Sequence, residues 1–581
     1  MNIYSKRGSV VLAVLAAVAL AGACTSSPEK QESTAGYSDC DAKPNECNGG
    51  PTKPGGTLTY LEEQDISTWN VNHEDGAHYP TGQMLSGVVP SAVYAAPDLL
   101  PYANLDLLAE EPQLTSASPQ TMVWKIRPEA VWNDGNPITA DDFLYVYKTN
   151  NGHDCECPSG STSGYELAES VVASDGGKTI TMTLRDGEVF ADWRSLFGAL
   201  YPAHIAEQHG GTDTPEGLLE SYIWFADTQP EWSGGPYQIE SYEKGQQLIL
   251  VPNARWYGKT KPSLEKLIFK IVTDQSSVVP ALSNGELDAG DPQPNQDIVT
   301  QVAELPGIYS TVTAGPTWEH IDLNLENPLL KDKALREAIF RAIDRQGIID
   351  RTVGAFHSEA APLNSHNYLP GDPSYVDVVS DTGAGAGDVD EAKKVLTDAG
   401  YTGVGVDLKA PSGEDVSLRF THTVDNVLRA DTAQLVQRDL AELGIDIQIV
   451  TTSSLGRTLT SGDFDIIIFA WVGSPFVLTG ADQLWGMEKD GNWAGNYGHW
   501  ANQEADDLIQ EAQAAGLTDP AKGAELLNQA DKIMAEDYYN LPLFQKPALQ
   551  IARDTIANIR PNTTSSGPAY NISEWGLREA A

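Results

Sequence analysis

The chain has 581 residues, 41% of them hydrophobic, with 13 Trp, 22 Tyr and 12 Phe, and 81 acidic against 37 basic side chains give a formal net charge of -44. That much apolar and aromatic material excludes a disordered or fibrous chain, and the length implies roughly two to four domains. The acidity runs along the whole chain without forming a tail, and it excludes nucleic acid as a partner because phosphates would be repelled.

In chain order, Lys6 and Arg7 precede an apolar run from Val10 to Ala21 and the small residues Ala21-Gly22-Ala23. Residues 1–23 therefore read as an export signal, too short to span a bilayer as a stable helix. The segment ending at Cys24 resembles the lipobox of bacterial lipoproteins, with Ala21 where that motif usually has Leu. The resemblance implies a diacylated Cys24 tethering the protein to the cell membrane on its extracytoplasmic face. On the residues alone, a secretory signal cut near Ala23 is the alternative. Residues 24–54, rich in Ser, Gly, Pro and Glu, read as a flexible linker with a reach of roughly 30 Å. Four cysteines remain, an even number that suggests disulfides in an exported protein. Cys40 and Cys47 flank a Pro-containing loop that closes easily, whereas Cys155 and Cys157, in CEC, would form only a small strained ring. No repeated C-x-x-C supports zinc, and no metal or cofactor is expected.

Order is expected to begin at GGTLTYLEE, where Leu58 and Tyr60 alternate with Thr as in a strand. Farther on the pattern is α/β. A strand at Ser417–His422, a helix at Asn426–Leu443 closed by Gly444, and a strand at IDIQIV imply parallel strands joined by a crossover. FDIIIFAW, Phe464 to Trp471, has the unbroken apolarity of a strand covered on both faces. Leu335, Ala338, Ile339, Ala342 and Ile343 mark a helix face, and Gln503–Ala535 reads as a helical pair. The chemical-looking motifs do not survive inspection. The GKT tripeptides at Gly177 and Gly258 have Val172 and Asn253 where a phosphate loop needs Gly. HEDGAH spaces its histidines five apart, not four, and GSTSG has Thr162 where a nucleophile elbow needs Ser. No catalytic residue is assigned, and no enzyme is expected.

WNDGNPITADDF, Trp132 to Phe143, is a turn feeding a helix, with Thr139 as N-cap and Asp141 and Asp142 in the first turn. With SGGPYQIESYEKGQQLILVPNARWYG from Ser233, NGELDAG from Asn284, LREAIFRAIDR from Leu335, YPAHI at Tyr201 and LPLFQ at Leu541, it resembles the bacterial extracellular solute-binding proteins of family 5. These are peptide receptors of ABC importers. The resemblance implies a two-lobed α/β fold of the periplasmic-binding-protein kind. Lobe 1 would take residues 55–304 and 498–581, with an inserted subdomain at about 81–190, and lobe 2 residues 305–497. It implies a monomer that binds an oligopeptide or related solute between the lobes and delivers it to an ABC permease and ATPase. The alternative is a non-transporting regulator of cell-envelope lipoglycan synthesis on the same fold. In that family an Asp three residues after the Trp of the FDIIIFAW strand holds the peptide ammonium; here the position three after Trp471 holds Ser474, preceded by Gly473. Glu319 is the expected substitute acid, with Glu62 and Glu63 as runners-up, and Trp318, Trp471, Trp493 and Tyr497 are expected to line the cleft.

Overall fold

The computed structural model describes residues 36–579 apart from 41, 77, 425 and 489–492. Cys24 and the export signal lie outside the described residues. A bridged and paired segment precedes the strand at residue 57. Tyr37 is buried, Cys40 is bridged to Cys47, and Thr52–Lys53 pairs antiparallel with Leu577–Arg578 near the C-terminus. Asn48, fully buried, donates to the Ile559 carbonyl. Residues 36–54 are thus part of the fold, against the expectation of a linker over 24–54, because the bridge and Tyr37 give this polar stretch something to bury.

The central element is a ten-stranded sheet. Its strands are β1 (Thr57–Glu62), β6 (Tyr237–Glu243), β7 (Gln247–Pro252), β8 (Lys266–Ile271), β9 (Ala289–Gly290), β10 (Ile308–Leu323), β11 (Ser417–Thr423), β12 (Asp446–Thr452), β13 (Ile466–Val472) and β14 (Asn540–Arg553), in the order β12-β11-β13-β10-β14-β9-β1-β8-β7-β6. A separate antiparallel sheet, β2 (Gln113–Ala117), β3 (Gln120–Lys125), β4 (Ala168–Ser174) and β5 (Thr179–Leu184), forms the inserted subdomain in the order β2-β3-β5-β4. Asp175, Gly176 and Gly177 take positive φ at the β4–β5 hairpin, which is where the first GKT lies. The second bridge, Cys155–Cys157, closes the loop after α2 (Ala140–Asn150).

The helix α2 forms as its sequence dictates. Thr139 caps it, and Asp142 reaches back to the Thr139 N–H (2.8 Å), completing a capping box. Asp142 also accepts from the Ala203 N–H (2.8 Å) and from the Trp132 indole, so the motif ties turn, helix and neighbouring loop together. Its role is structural, as the residue pattern implied.

The boundary between the lobes lies inside two strands. β10 and β14 pair antiparallel from Ile308/Arg553 to Ala314/Pro547, lose register across Gly315–Thr317, and resume from Trp318/Gln545 to Asp322/Asn540. Gly315 is required there, since a Cβ would stand 2.6 Å from the Lys546 carbonyl oxygen. The crossings are therefore at 315–317 and 546–547. This moves two expected boundaries. Residues 305–314 pair within lobe 1, and residues 498–545 belong to lobe 2, not lobe 1. The helices α6 (Gln503–Gly516) and α7 (Pro520–Asp537) pack Ile509, Leu527 and Met534 against Trp318, Trp485 and Tyr539 of the second lobe. The helix at Lys333–Ala342 and α3 (Val427–Ala441) cover one face of its sheet with Ile339, Ala433, Val436 and Leu440, while a separate core around Leu58, Tyr60, Trp132 and Trp575 joins lobe 1 to the subdomain.

Burial pushes the Asp142 carboxyl up to about 6, against the backbone donors that hold it down. Its folded value thus lies above its unfolded one, so its contribution to stability is present below the ordinary value near 4 and is lost as pH rises through about 6. Asp142→Asn sets an amide N–H against a backbone donor. It is expected to lower the unfolding free energy by about 1–3 kcal/mol in urea titrations and to flatten this pH dependence; an unchanged midpoint would count against the capping role.

Candidate functional site

The register locates the cleft. In lobe 1, Ala289 pairs with Ala552 and Gly290 with Ile551, so β9 runs toward the hinge crossing, as do β1 and β8, which are parallel to one another. In lobe 2, β11, β12 and β13 are parallel, and β13 ends with Val472 opposite Thr317 at the hinge. The carboxyl ends of both strand sets therefore face the same gap. Open α/β sheets bind ligands beyond those ends, at the switch point where successive connections diverge. Here β11 lies between β12 and β13, and α3 leaves it at Thr423.

On the lobe 2 wall, Glu319 is fully buried but not available. The Arg429 guanidinium, in the first turn of α3, donates Nε to Oε2 at 3.0 Å and Nη2 to Oε1 at 3.1 Å, and Lys546 Nζ stands 3.6 Å from the same carboxylate. Arg429 also donates to the Thr423 hydroxyl (3.1 Å), fixing it at the end of β11. One carboxylate shared by two cations leaves this wall positive among the described residues. The expectation that Glu319 receives an ammonium is thus corrected, for its lone pairs and its charge are already taken. Nor does Glu319 share a surface with Trp471. Glu319 pairs with Ala470 and Trp318 with Trp471, so the two aromatic side chains lie on the opposite sheet face from Glu319.

The lobe 1 wall is acidic. Glu62 closes β1, is 4% exposed, and its Oε1 is buried without a partner. Burial, with the like charges of Asp291 and Glu63, pushes its carboxyl well above the usual range. Asp291, just past β9, accepts from the Tyr60 hydroxyl and from the Tyr79 hydroxyl, each at 2.9 Å; burial still pushes it up to about 6. Glu63 is used structurally, accepting from the Gln275 amide (3.0 Å) and the Gln293 N–H (3.0 Å).

The aromatic residues form a stack at the end of β13. The Trp471 ring lies 5.9 Å from Tyr497 and 5.8 Å from His320, nearly parallel to both, and its buried Nε1 has no partner. Trp318 is buried in the lobe 2 core, and Trp493 stacks on His499 at 4.7 Å. Gly473 donates to the Pro316 carbonyl, where a Cβ would meet Leu369 at 2.5 Å, and Ser474 accepts from the Phe476 N–H (3.1 Å), shaping the loop. The structure thus brings Trp471 and Tyr497 together, with Gly473 and Ser474 just past Trp471 in the chain, while Glu62 and Glu63 stand at the end of β1 in lobe 1. A cavity of about 520 Å³ lined by Tyr94, Tyr102, Asn104, Tyr570 and Glu574 lies within lobe 1, away from these strand ends.

The lobes also touch beyond the cleft. The helix α5 (Val477–Trp485) follows the Ser474 loop and has Phe476 at its N-cap, which supplies no side-chain cap. Asp192 of lobe 1 supplies it, accepting from the Thr479 N–H at 2.7 Å, and Gln483 hydrogen-bonds Ser163 nearby. Most long helices here cap themselves, through Thr139, Asn426, Asn502 and Asp519 among others. Sequence reasoning missed Arg429, Lys546, Asp291 and Asp192. None stands in a motif that marks a site, and each acquires its role from a partner far away in the chain.

Two outcomes follow. Glu319→Ala strands Arg429 in a buried position and should cost about 3–5 kcal/mol of unfolding free energy in denaturant titrations without ligand; an unchanged midpoint would refute the pairing. Asp192→Ala removes the cross-lobe cap, and small-angle scattering of the unliganded protein should show a larger radius of gyration, with weaker ligand binding. Identical scattering curves and affinities would show that this contact takes no part in closure.

The model for "Bacterial extracellular solute-binding proteins, family 5 Middle" matches residues 220–495. The chain is similar to the solved structure of the periplasmic EDTA-binding protein EppA, at 36% identity and a TM-score of 0.85, covering 92% of this chain and 99% of that one. It is 29% identical over 512 residues to the oligopeptide-binding protein OppA of Mycobacterium tuberculosis, covering 87% of this chain and 82% of that protein. The oligopeptide-binding protein AppA of Bacillus subtilis, solved with a nonapeptide, has the same fold at 20% identity, with a TM-score of 0.72 over 91% of this chain and all of that one. Taken with the two-lobed sheet and its paired strand ends, these likenesses show that the chain belongs to family 5 of the bacterial extracellular solute-binding proteins.

Proposed function

We propose that this binding protein is the extracytoplasmic receptor of an ABC importer, capturing an oligopeptide between its lobes and handing it to a membrane permease, with Cys24 as its lipid anchor. The observation that carries this reading is the convergence of both strand sets on one hinge gap, at whose lobe 1 edge Glu62 closes β1 with its Oε1 buried and unpartnered. A buried polar atom without a partner costs free energy that a ligand can recover. Closure works by differential affinity: a ligand that touches both walls binds the closed form more tightly and shifts the population toward the shape a permease would accept. The oligopeptide-binding relatives support the peptide, and the EDTA-binding relative supports a small charged solute; neither name transfers by itself.

The test is native mass spectrometry of protein purified without its lipid, together with Trp fluorescence during titration by peptide mixtures. A co-purified series of peptide masses and a fluorescence change lost in Trp471→Phe are expected. A cleft uniformly empty and silent to peptides would favour the regulatory alternative.

A further inference from the structure

The two walls of the cleft carry opposite charge, and the sheet geometry sets them on one face. Along β14 side chains alternate, so Lys546 and Gln550 point the same way. Gln550 donates to the Gly290 carbonyl (2.9 Å), next to Asp291. Tyr60 and Glu62 share their face of β1 by the same alternation, and the Tyr60 hydroxyl holds Asp291. The hinge strand therefore leads from the acidic pair of lobe 1 to the cationic pair of lobe 2 with only Ala548 between Lys546 and Gln550 on that face.

We propose that the ligand is a zwitterion held across the hinge, its cationic group on Glu62 and Asp291 of lobe 1 and its carboxylate on Lys546 beside Arg429 of lobe 2. This rests on the reading of the cleft as a peptide site, and it names the ends: a peptide with both termini free, its amino end toward lobe 1. The buried, unpartnered Oε1 of Glu62, pressed against a second carboxylate, is the half of the argument that calls for a cation. The other half is Lys546, the surplus cation once Arg429 has satisfied Glu319. A polycarboxylate without an ammonium would suit lobe 2 but would meet two carboxylates in lobe 1. Ser474 fits the same polarity, since the loop after β13 offers no acid to an amino end on lobe 2.

The experiment is calorimetric titration of the full chain without its lipid with trialanine, its N-acetylated form and its C-terminal amide. Wild type, Glu62→Gln, Asp291→Asn and Lys546→Met, which keeps the aliphatic stem, are compared. Wild type should bind free trialanine about ten- to a hundredfold more tightly than either blocked form. Glu62→Gln or Asp291→Asn should erase the penalty for acetylation and keep that for amidation, and Lys546→Met should do the reverse. Equal binding of all three forms, or variants that weaken all three alike, overturns the charge assignment and leaves the peptide reading standing. No binding by any form or by a mixture of short peptides overturns both.

Discussion

The structure depends on one antiparallel pair. β10 and β14 run side by side through both lobes, paired on either side of an interruption at Gly315–Thr317 and shifted in register once more between Glu319 and His320. A continuous ladder would weld the lobes into one body, and separate linkers would leave their relative position to surface contacts. A pair interrupted over three residues does neither. It keeps the lobes in register and leaves a few soft torsions to absorb closure, with Gly315 there because the opposing carbonyl approaches too closely for a side chain.

The same pair sets the chemistry of the gap. Because β14 crosses the hinge, it carries Lys546 to the brink of lobe 2 and Gln550 to the acidic edge of lobe 1. Glu319, on β10, then anchors two cations instead of meeting a ligand. A buried carboxylate is tolerable only when paired, and once Arg429 grips it in a two-point contact its free acceptor capacity is small. Glu62 is the opposite case. It is buried against like charge and left with an open oxygen, the condition of a group waiting for a partner. The scaffold shared with oligopeptide-binding and EDTA-binding proteins does not choose between such ligands; the charges placed on its walls do.

The cross-lobe cap adds a mechanical link. The loop through Gly473 and Ser474 leads directly into α5, whose first turn is completed by Asp192 from the other lobe. The helix has no side-chain cap of its own and takes one from the other lobe, so a single carboxylate ties the loop before α5 to lobe 1.

The sequence by itself determined the local pieces. The capping box at Thr139 and Asp142, the hairpin at Gly176-Gly177 and the parallel strands around α3 all depend on neighbours within a few residues, where propensity and spacing are decisive. The six ordered motifs carried the family likeness and with it the two lobes, and two residues expected in the cleft, Trp471 and Tyr497, do stack on one another. What only the tertiary structure decided was which charges meet. Glu319 and Arg429 are 110 residues apart, and Tyr60 and Asp291 are 231 apart. Composition cannot say that one acid is neutralised while another is left open. The lobe boundary was out of reach for the same reason, because it falls inside two long strands whose sequence continues unbroken. The place of residues 36–54 in the fold likewise needed the partner strand at Leu577–Arg578, at the far end of the chain, to make a polar, linker-like stretch worth ordering.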